Sequence, residues 1–337
     1  MAEKLSPAPE TDAYNIHHME KLVNTTILFF GTPEFALPAL RALIDADWRV
    51  VGVVTQPDEP VGRKRVLTPP PIKVIAAQYG IPVFQPEKLD PETFVREIPA
   101  ADLLIVAAYG EIIPRAILTI PQYGALNIHP SLLPRWRGPS PIQHTILAGD
   151  MGTGVTIIKI DAAMDHGPIV AQRHAAYSMR HIAYPELHDQ LANLGAELLI
   201  EILPRWIAGA ITPIPQDETK AIYCKLLTKD DGRIDWTKPA EEIERMIRAF
   251  QPWPGAWTIW HAPSRDLRMR IEEAEWITDE TPNAAQGLVW QNKTRPLLVQ
   301  SGRGSLVIQK LQTEGGDVMD AASFLRGHPS FIGTKLV

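Results

Sequence analysis

Short apolar runs, separated by polar turns marked with proline and glycine, dominate the first two thirds of the chain. Residues 25–30 form one such run, ending at Gly31. Thr32-Pro33-Glu34 then offers an N-cap, a first helical position and an early acid for a helix continuing over residues 35–44. Residues 49–55 are mostly apolar, as a strand covered on both faces should be. This strand, helix, strand opening predicts a parallel α/β unit. Further extended runs at 81–85, 101–109, 124–129, 153–161 and 169–176 enlarge the sheet. Helical segments are expected over 72–79, after Pro91, and over 184–203. Residues 56–71 are too rich in proline and glycine for a regular element. They read as a long exposed loop bearing the basic cluster Arg63-Lys64-Arg65.

The texture then changes. Residues 209–225 lack periodicity and predict a linker. A helix over 240–250 follows Pro239, and five β-like runs come after it, at 258–261, 267–276, 288–291, 297–301 and 305–311. Strands at that spacing, with no helices between them, predict a small antiparallel barrel. The expected organisation is a disordered tail over 1–23, an α/β domain over 24–208, a linker over 209–225 and a barrel domain over 226–337.

Size and composition narrow the class. A chain of 337 residues exceeds the usual single domain, and 45% apolar with 21% charged residues is ordinary for a globular protein. A formal charge of −6 gives no global attraction to nucleic acid, so such a partner must meet a local basic patch. One cysteine, Cys224, excludes an intramolecular disulfide framework and a multi-cysteine metal site. Residues 1–23 lack the apolar core of a signal peptide, and no apolar run approaches the roughly 20 residues of a membrane span. The cytoplasm is the expected address and a monomer the expected state, with no membrane association.

The candidate chemistry centres on residues 124–150. Asn127 and His129 interrupt an apolar strand at i and i+2, so their side chains project to one face. Pro130 ends the strand, and a rigid turn follows over residues 131–134. Pro139 is placed to open a helix that Gly149 closes. An amide and an imidazole aimed together from a strand end suit the polarising of a carbonyl and the transfer of protons. Asp165 lies on a second loop after a strand, and parallel sheets gather ligands at the carboxyl ends of their strands. The dinucleotide pattern Gly-x-Gly-x-x-Gly is absent after the first strand. Ser131 lacks the Gly-x-Ser-x-Gly elbow of a nucleophile. His129, His144 and Asp165 have no recognised metal spacing, so no metal is expected.

Together, Phe30-Gly-Thr-Pro-Glu-Phe35, Thr55-Gln-Pro-Asp58, Ala108-Tyr-Gly110, Asn127-Ile-His-Pro-Ser-Leu-Leu-Pro-Arg-Trp-Arg-Gly138, Pro141-Ile-Gln143 and Asp165-His-Gly167 resemble the methionyl-tRNA formyltransferase family. The likeness continues through Gln216-Asp-Glu-Thr219, Arg233-Ile-Asp-Trp236 and Arg248-Ala-Phe-Gln-Pro-Trp-Pro254, so it spans about residues 25–337. It implies a Rossmann-like, mostly parallel α/β domain of formyltransferase type, linked to a small OB-like β-barrel that binds tRNA. It further implies transfer of a formyl group from 10-formyltetrahydrofolate to the α-amine of initiator methionyl-tRNA. Asn127, His129 and Asp165 match the family's catalytic set. Ser131, Leu132, Leu133 and Pro134 match its folate-binding turn, and Tyr109 is expected near the pterin. Gly62 and Arg63 match its tRNA loop, with Lys64 and Arg65 beside them. Glu59 stands where many relatives carry a basic residue, and Val66 shortens the basic run, which lowers the strength expected of that contact. A sugar-amine N-formyltransferase or a formyltetrahydrofolate hydrolase would use the same three polar residues, and a non-catalytic RNA-binding protein is the remaining rival.

Overall fold

A computed structural model describes residues 24–62, 64–176, 179–278 and 284–337. The expected tail over 1–23 and Arg63 both lie outside these residues. The chain divides into two compact units, and the division is not a single cut. Of the described residues, the first comprises those within 24–137, 154–175 and 190–222, and the second those within 138–153, 176–189 and 223–337.

The first unit is built on a seven-stranded sheet. β1 (Thr26–Gly31) lies at its centre, paired in parallel with β2 (Arg49–Val54) on one side and β6 (Leu103–Ala107) on the other. β5 (Val83–Phe84) extends the β2 side, and β7 (Ala125–His129) extends the β6 side. Parallel pairing stops there, because β8 (Gly154–Lys159) and β9 (Ile169–His174) run antiparallel. β1 and β6 are buried along almost their whole length, which is why their sequences are apolar without alternation. The strand order reverses beside β1, so the carboxyl ends of β1, β6 and β7 open on one side of the sheet.

Helices α1 (Leu37–Asp45), α2 (Pro71–Gln78), α3 (Pro91–Glu97) and α4 (Arg115–Leu118) follow the parallel strands. Thr32 does not cap the first helical segment as its position suggests. Its hydroxyl donates instead to the Tyr109 carbonyl at 2.8 Å, while a short 3-10 turn, Glu34–Ala36, leads into α1. The stretch over 56–71 is not a featureless loop. It contains an antiparallel ribbon of β3 (Glu59–Val61) and β4 (Val66–Thr68). A two-stranded ribbon has only edges, where proline is tolerated, so Pro60 is no obstacle to pairing.

The second unit contains α5 (Pro141–Ala148), α7 (Ala240–Ala249) and the barrel. α5 begins at Pro141 rather than Pro139, with Ser140 at the N-cap, and ends at Gly149. Arg245 on α7 donates to the Leu147 carbonyl at 3.2 Å. The barrel strands are β10 (Ala256–Ala262), β11 (Arg265–Ile277), β14 (Ser305–Thr313), β13 (Leu298–Gln300) and β12 (Val289–Trp290), in that spatial order. Residues 334–337 close the ring. Val289 donates to the Thr334 carbonyl and Ile259 to the Val337 carbonyl, each at 2.9 Å. Inside, Trp260 meets Phe324 and Phe331 edge-on, with Met269, Ile308 and Leu311 around them. A short strand β15 (Val318–Asp320), unforeseen because it is brief and follows Gly315-Gly316, pairs with β14 and leads into α8 (Ala321–Gly327).

The long helix α6 spans Tyr184–Ile207, with Pro204 inside its final turns. No helix among the described residues is long and apolar enough to cross a membrane.

Candidate active site

β7 positions the two polar side chains seen in the sequence. Ile128, between them, points to the opposite face, where α6 approaches so closely that a Cβ on Gly195 would stand 2.6 Å from Ile128 Cγ2. Asn127 and His129 therefore share the other face. Asp165 arrives from the loop between β8 and β9 in a left-handed backbone conformation, with φ of 49°. Its Oδ1 lies 3.3 Å from Asn127 Nδ2 and 3.5 Å from His129 Nδ1. The three expected catalytic residues thus meet at one carboxylate oxygen. His129 is 4% exposed, while Asn127 and Asp165 remain partly open to solvent.

The other ring nitrogen of His129 is also engaged. Nε2 lies 2.9 Å from the Trp136 carbonyl oxygen. A carbonyl only accepts, so Nε2 carries the hydrogen and Nδ1 faces Asp165. Trp136 has φ of 62°, a left-handed conformation uncommon for a bulky side chain. That local turn aims its carbonyl at the imidazole, a strained arrangement of the kind found at functional sites.

The turn over residues 131–134 is braced from within. Ser131 is fully buried and its hydroxyl donates to the Arg135 carbonyl at 2.7 Å. Thr156 donates to the Ser131 carbonyl at 2.6 Å and accepts the Leu133 amide at 3.1 Å. Gln172 donates to the Leu133 carbonyl at 2.7 Å, and the Ile222 amide reaches the Pro134 carbonyl at 3.1 Å. Ser131 and Leu133 are buried, whereas Leu132 and Pro134 keep partial exposure. The turn therefore offers shape and apolar surface more than a free hydroxyl.

Tyr109 is placed differently from an open ligand contact. Its ring is 3% exposed and packs edge-on against Phe30 at 5.3 Å, and Phe30 stacks on Phe94 at 6.2 Å. Burial raises the phenol well above its ordinary range, and the hydroxyl has no acceptor among the described residues. A cavity of about 250 Å³ opens beside Phe94, lined also by Phe84, Gln85, Leu89, Thr93 and Ile98.

Lys64 and Arg65, the described part of the basic cluster, sit at the tip of the β3–β4 ribbon and are exposed together with Val61, Val66 and Leu67. The ribbon's root is tied down by Lys73, which donates to Asp58 at 2.7 Å and to Gln85 at 2.6 Å. Thr156 and Gln172 lie under the turn, and Arg137 and Gln216 lie behind the Asp165 loop, contacts that sequence reasoning did not foresee. A buried arginine requires partners, but nothing in the sequence names them.

Comparison with known proteins identifies the family. Residues 23–203 match the family described as Formyl transferase, and residues 226–329 match Formyl transferase, C-terminal domain. The chain is 46% identical over 304 residues to the methionyl-tRNA formyltransferase of Chloroflexus aurantiacus (strain ATCC 29366 / DSM 635 / J-10-fl), covering 89% of this chain and 96% of that protein. It is 44% identical over 304 residues to that of Methylococcus capsulatus, covering 90% and 96%. Among solved structures, the sugar 3N-formyl transferase WlaRD shares the fold, with TM-score 0.61 and 17% identity over 87% of this chain and 99% of that one. HypX of Aquifex aeolicus, solved with tetrahydrofolic acid, does so with TM-score 0.58 and 18% identity; the match covers 90% of this chain but only 47% of HypX. The protein is a formyl-transferring enzyme whose chain belongs to the methionyl-tRNA formyltransferase family.

Proposed function

We propose that the protein transfers the formyl group of 10-formyltetrahydrofolate to the α-amine of initiator methionyl-tRNA. The observation that carries the reading is the convergence of Asn127, His129 and Asp165, with Asp165 Oδ1 within 3.5 Å of both partners. The substrate amine, in its neutral form, attacks the formyl carbon; a new C–N bond forms and the carbonyl pair moves to oxygen. Asn127 Nδ2 stabilises that oxyanion by donating a hydrogen bond. His129 Nδ1 takes the proton leaving the amine, and Asp165 stabilises the imidazolium. Collapse of the intermediate breaks the bond to N10, and the same proton passes to N10. The net change is one formyl group moved one way and one proton the other.

The turn at Ser131, Leu132, Leu133 and Pro134 would seat the donor, with Leu132 and Pro134 in contact. Tyr109 would bound the pterin side through the aromatic cluster it forms with Phe30. The exposed ribbon tip with Lys64 and Arg65 would grip acceptor-stem phosphates, with Arg63 expected to join them, a feature that a sugar-amine substrate does not need. The reading places the enzyme in the cytoplasm as a monomer, with a catalytic domain over 24–208, a linker over 209–225 and a tRNA-binding domain over 226–337. The relatives' names support the substrate assignment.

The test is direct. Purified protein, 10-formyltetrahydrofolate and methionyl initiator tRNA should yield formylmethionyl-tRNA, scored after mild deacylation. Formylation of an amino-sugar nucleotide with none of the tRNA would overturn the reading.

A further inference from the structure

We propose that Gln216 and Arg137 are positioning residues for the reaction, forming a bridge, anchored on the buried guanidinium, that sets the backbone of the Asp165 loop. The proposal rests on the catalytic role assigned to Asp165 above. Arg137 is 0% exposed. Its Nε and Nη2 donate to Gln216 Oε1 at 3.0 and 2.9 Å. Its Nη1 and Nη2 donate to Glu218 at 2.9 and 2.6 Å, which supplies the countercharge. A guanidinium has donors only, so the amide oxygen of Gln216 must face it. That fixes the amide nitrogen on the far side, where Nε2 donates to the Asp165 carbonyl at 2.8 Å and the Gly167 carbonyl at 2.7 Å.

Those two carbonyls bracket the turn that carries the carboxylate. Asp165 holds a positive φ there, and the backbone at Gly167 lies so near the Lys159 carbonyl that a Cβ would stand 1.8 Å from its oxygen. The loop is pressed against β8 from one side and held by the Gln216 amide from the other. His166 adds a brace, reaching Asp161 at 2.6 Å and Glu218 at 3.4 Å. The aim of Asp165 Oδ1 at Asn127 and His129 is thereby set from behind, by a segment that touches none of the reacting atoms. Glutamine suits the post because one planar group presents an acceptor to the arginine and two hydrogens to the carbonyls. Glutamate would keep the shape and the arginine contact while turning an anion toward both carbonyls.

The experiment compares wild type, Gln216→Glu, Asp165→Asn and the double variant, measuring kcat and both KM values together with thermal melting. Gln216→Glu should lower kcat roughly 10- to 100-fold, the range seen when an outer-shell partner of a reactive group is removed. Both KM values should stay close to wild type, while the melting temperature falls, because a carboxylate oxygen replaces the donor to two carbonyls. Where Gln216→Glu does not fold, Gln216→Met, of similar length and without donors, replaces it in the same cycle. In the Asp165→Asn background the Gln216 substitution should cost nothing more, because its effect passes through Asp165. A full additional loss in that background would overturn the bridge, as would a rise in KM for tRNA at unchanged kcat. A slow Asp165→Asn enzyme beside a normal Gln216→Glu enzyme would overturn the bridge alone. A normal Asp165→Asn enzyme would overturn the catalytic reading itself.

Discussion

The carbonyl oxygen of Trp136 stands 2.9 Å from His129 Nε2, so a backbone group selects the imidazole tautomer that leaves Nδ1 toward Asp165. If Nδ1 moves the proton, two near-isosteres should fail equally. His129→Asn places an amide where Nδ1 stands, and His129→Gln reaches toward the Nε2 position, but neither titrates. Both should lower kcat by roughly 100- to 10,000-fold, the usual contribution of general acid–base catalysis. A His129→Asn enzyme within a few fold of wild type in a single-turnover assay would show that hydrogen bonding alone suffices.

Asn127→Ala removes the oxyanion donor and should reduce kcat by roughly two to three orders of magnitude, with little change in substrate KM. Steady-state kinetics at saturating donor would check this. A rate near wild type would exclude the role.

Replacing both Lys64 and Arg65 by alanine should raise KM for methionyl-tRNA and leave donor binding intact. The logarithmic dependence of tRNA binding on salt should flatten, its slope falling by about one for each phosphate that the protein no longer neutralises. Salt titrations of the two proteins would show it, and parallel slopes would remove these residues from the tRNA interface.

Much of this site was legible in the sequence, for identifiable reasons. Asn127 and His129 are two polar side chains at strand spacing in an apolar run, and that alternation is a local signal. Asp165 was legible as a turn residue at a strand end. The Trp136 carbonyl was hidden because its direction depends on a positive φ that no residue type announces. Gln216 and Glu218 stood out only through the family likeness, and their contacts were hidden because the stretch lacks periodicity and their partner, Arg137, is far away in the chain. Tyr109 was expected near a ligand, but the packing of its ring in the cluster with Phe30 and Phe94 was not legible, because those residues lie far apart in the chain. The β3–β4 ribbon was masked by its prolines, which are harmless on strands that are all edge.

Gly167→Ala should destabilise the protein and displace the Asp165 loop together. A methyl group 1.8 Å from the Lys159 carbonyl cannot be accommodated without backbone movement. A loss of about 1–3 kcal/mol, typical of overpacking, is expected in denaturant unfolding, along with a fall in kcat. Full activity with unchanged stability would mean that the loop shifts freely.

The arginine bridge also carries a pH signature. The Arg137 guanidinium, by donating to Glu218, holds that carboxyl below its ordinary value of 4.5. A carboxyl depressed in the folded state adds stability that is fully present above the unfolded value and is lost as pH falls through the folded one. Wild type should therefore melt higher than Glu218→Gln near neutrality, and the gap should narrow as pH falls below the ordinary carboxyl value of 4.5. A gap that stays constant over that range would place the stabilisation elsewhere.

Closure of the barrel by residues 334–337 has a consequence for how the protein is made. Thr258 and Val337, joined by a hydrogen bond, are 79 positions apart, so β10 leaves the ribosome long before the segment that covers its outer edge. During that interval the edge of β10 is an open template for pairing with another nascent chain. Removing the pairing made by residues 334–337 would make the interval permanent, turning a closed ring into a sheet with two free borders and a standing tendency to aggregate.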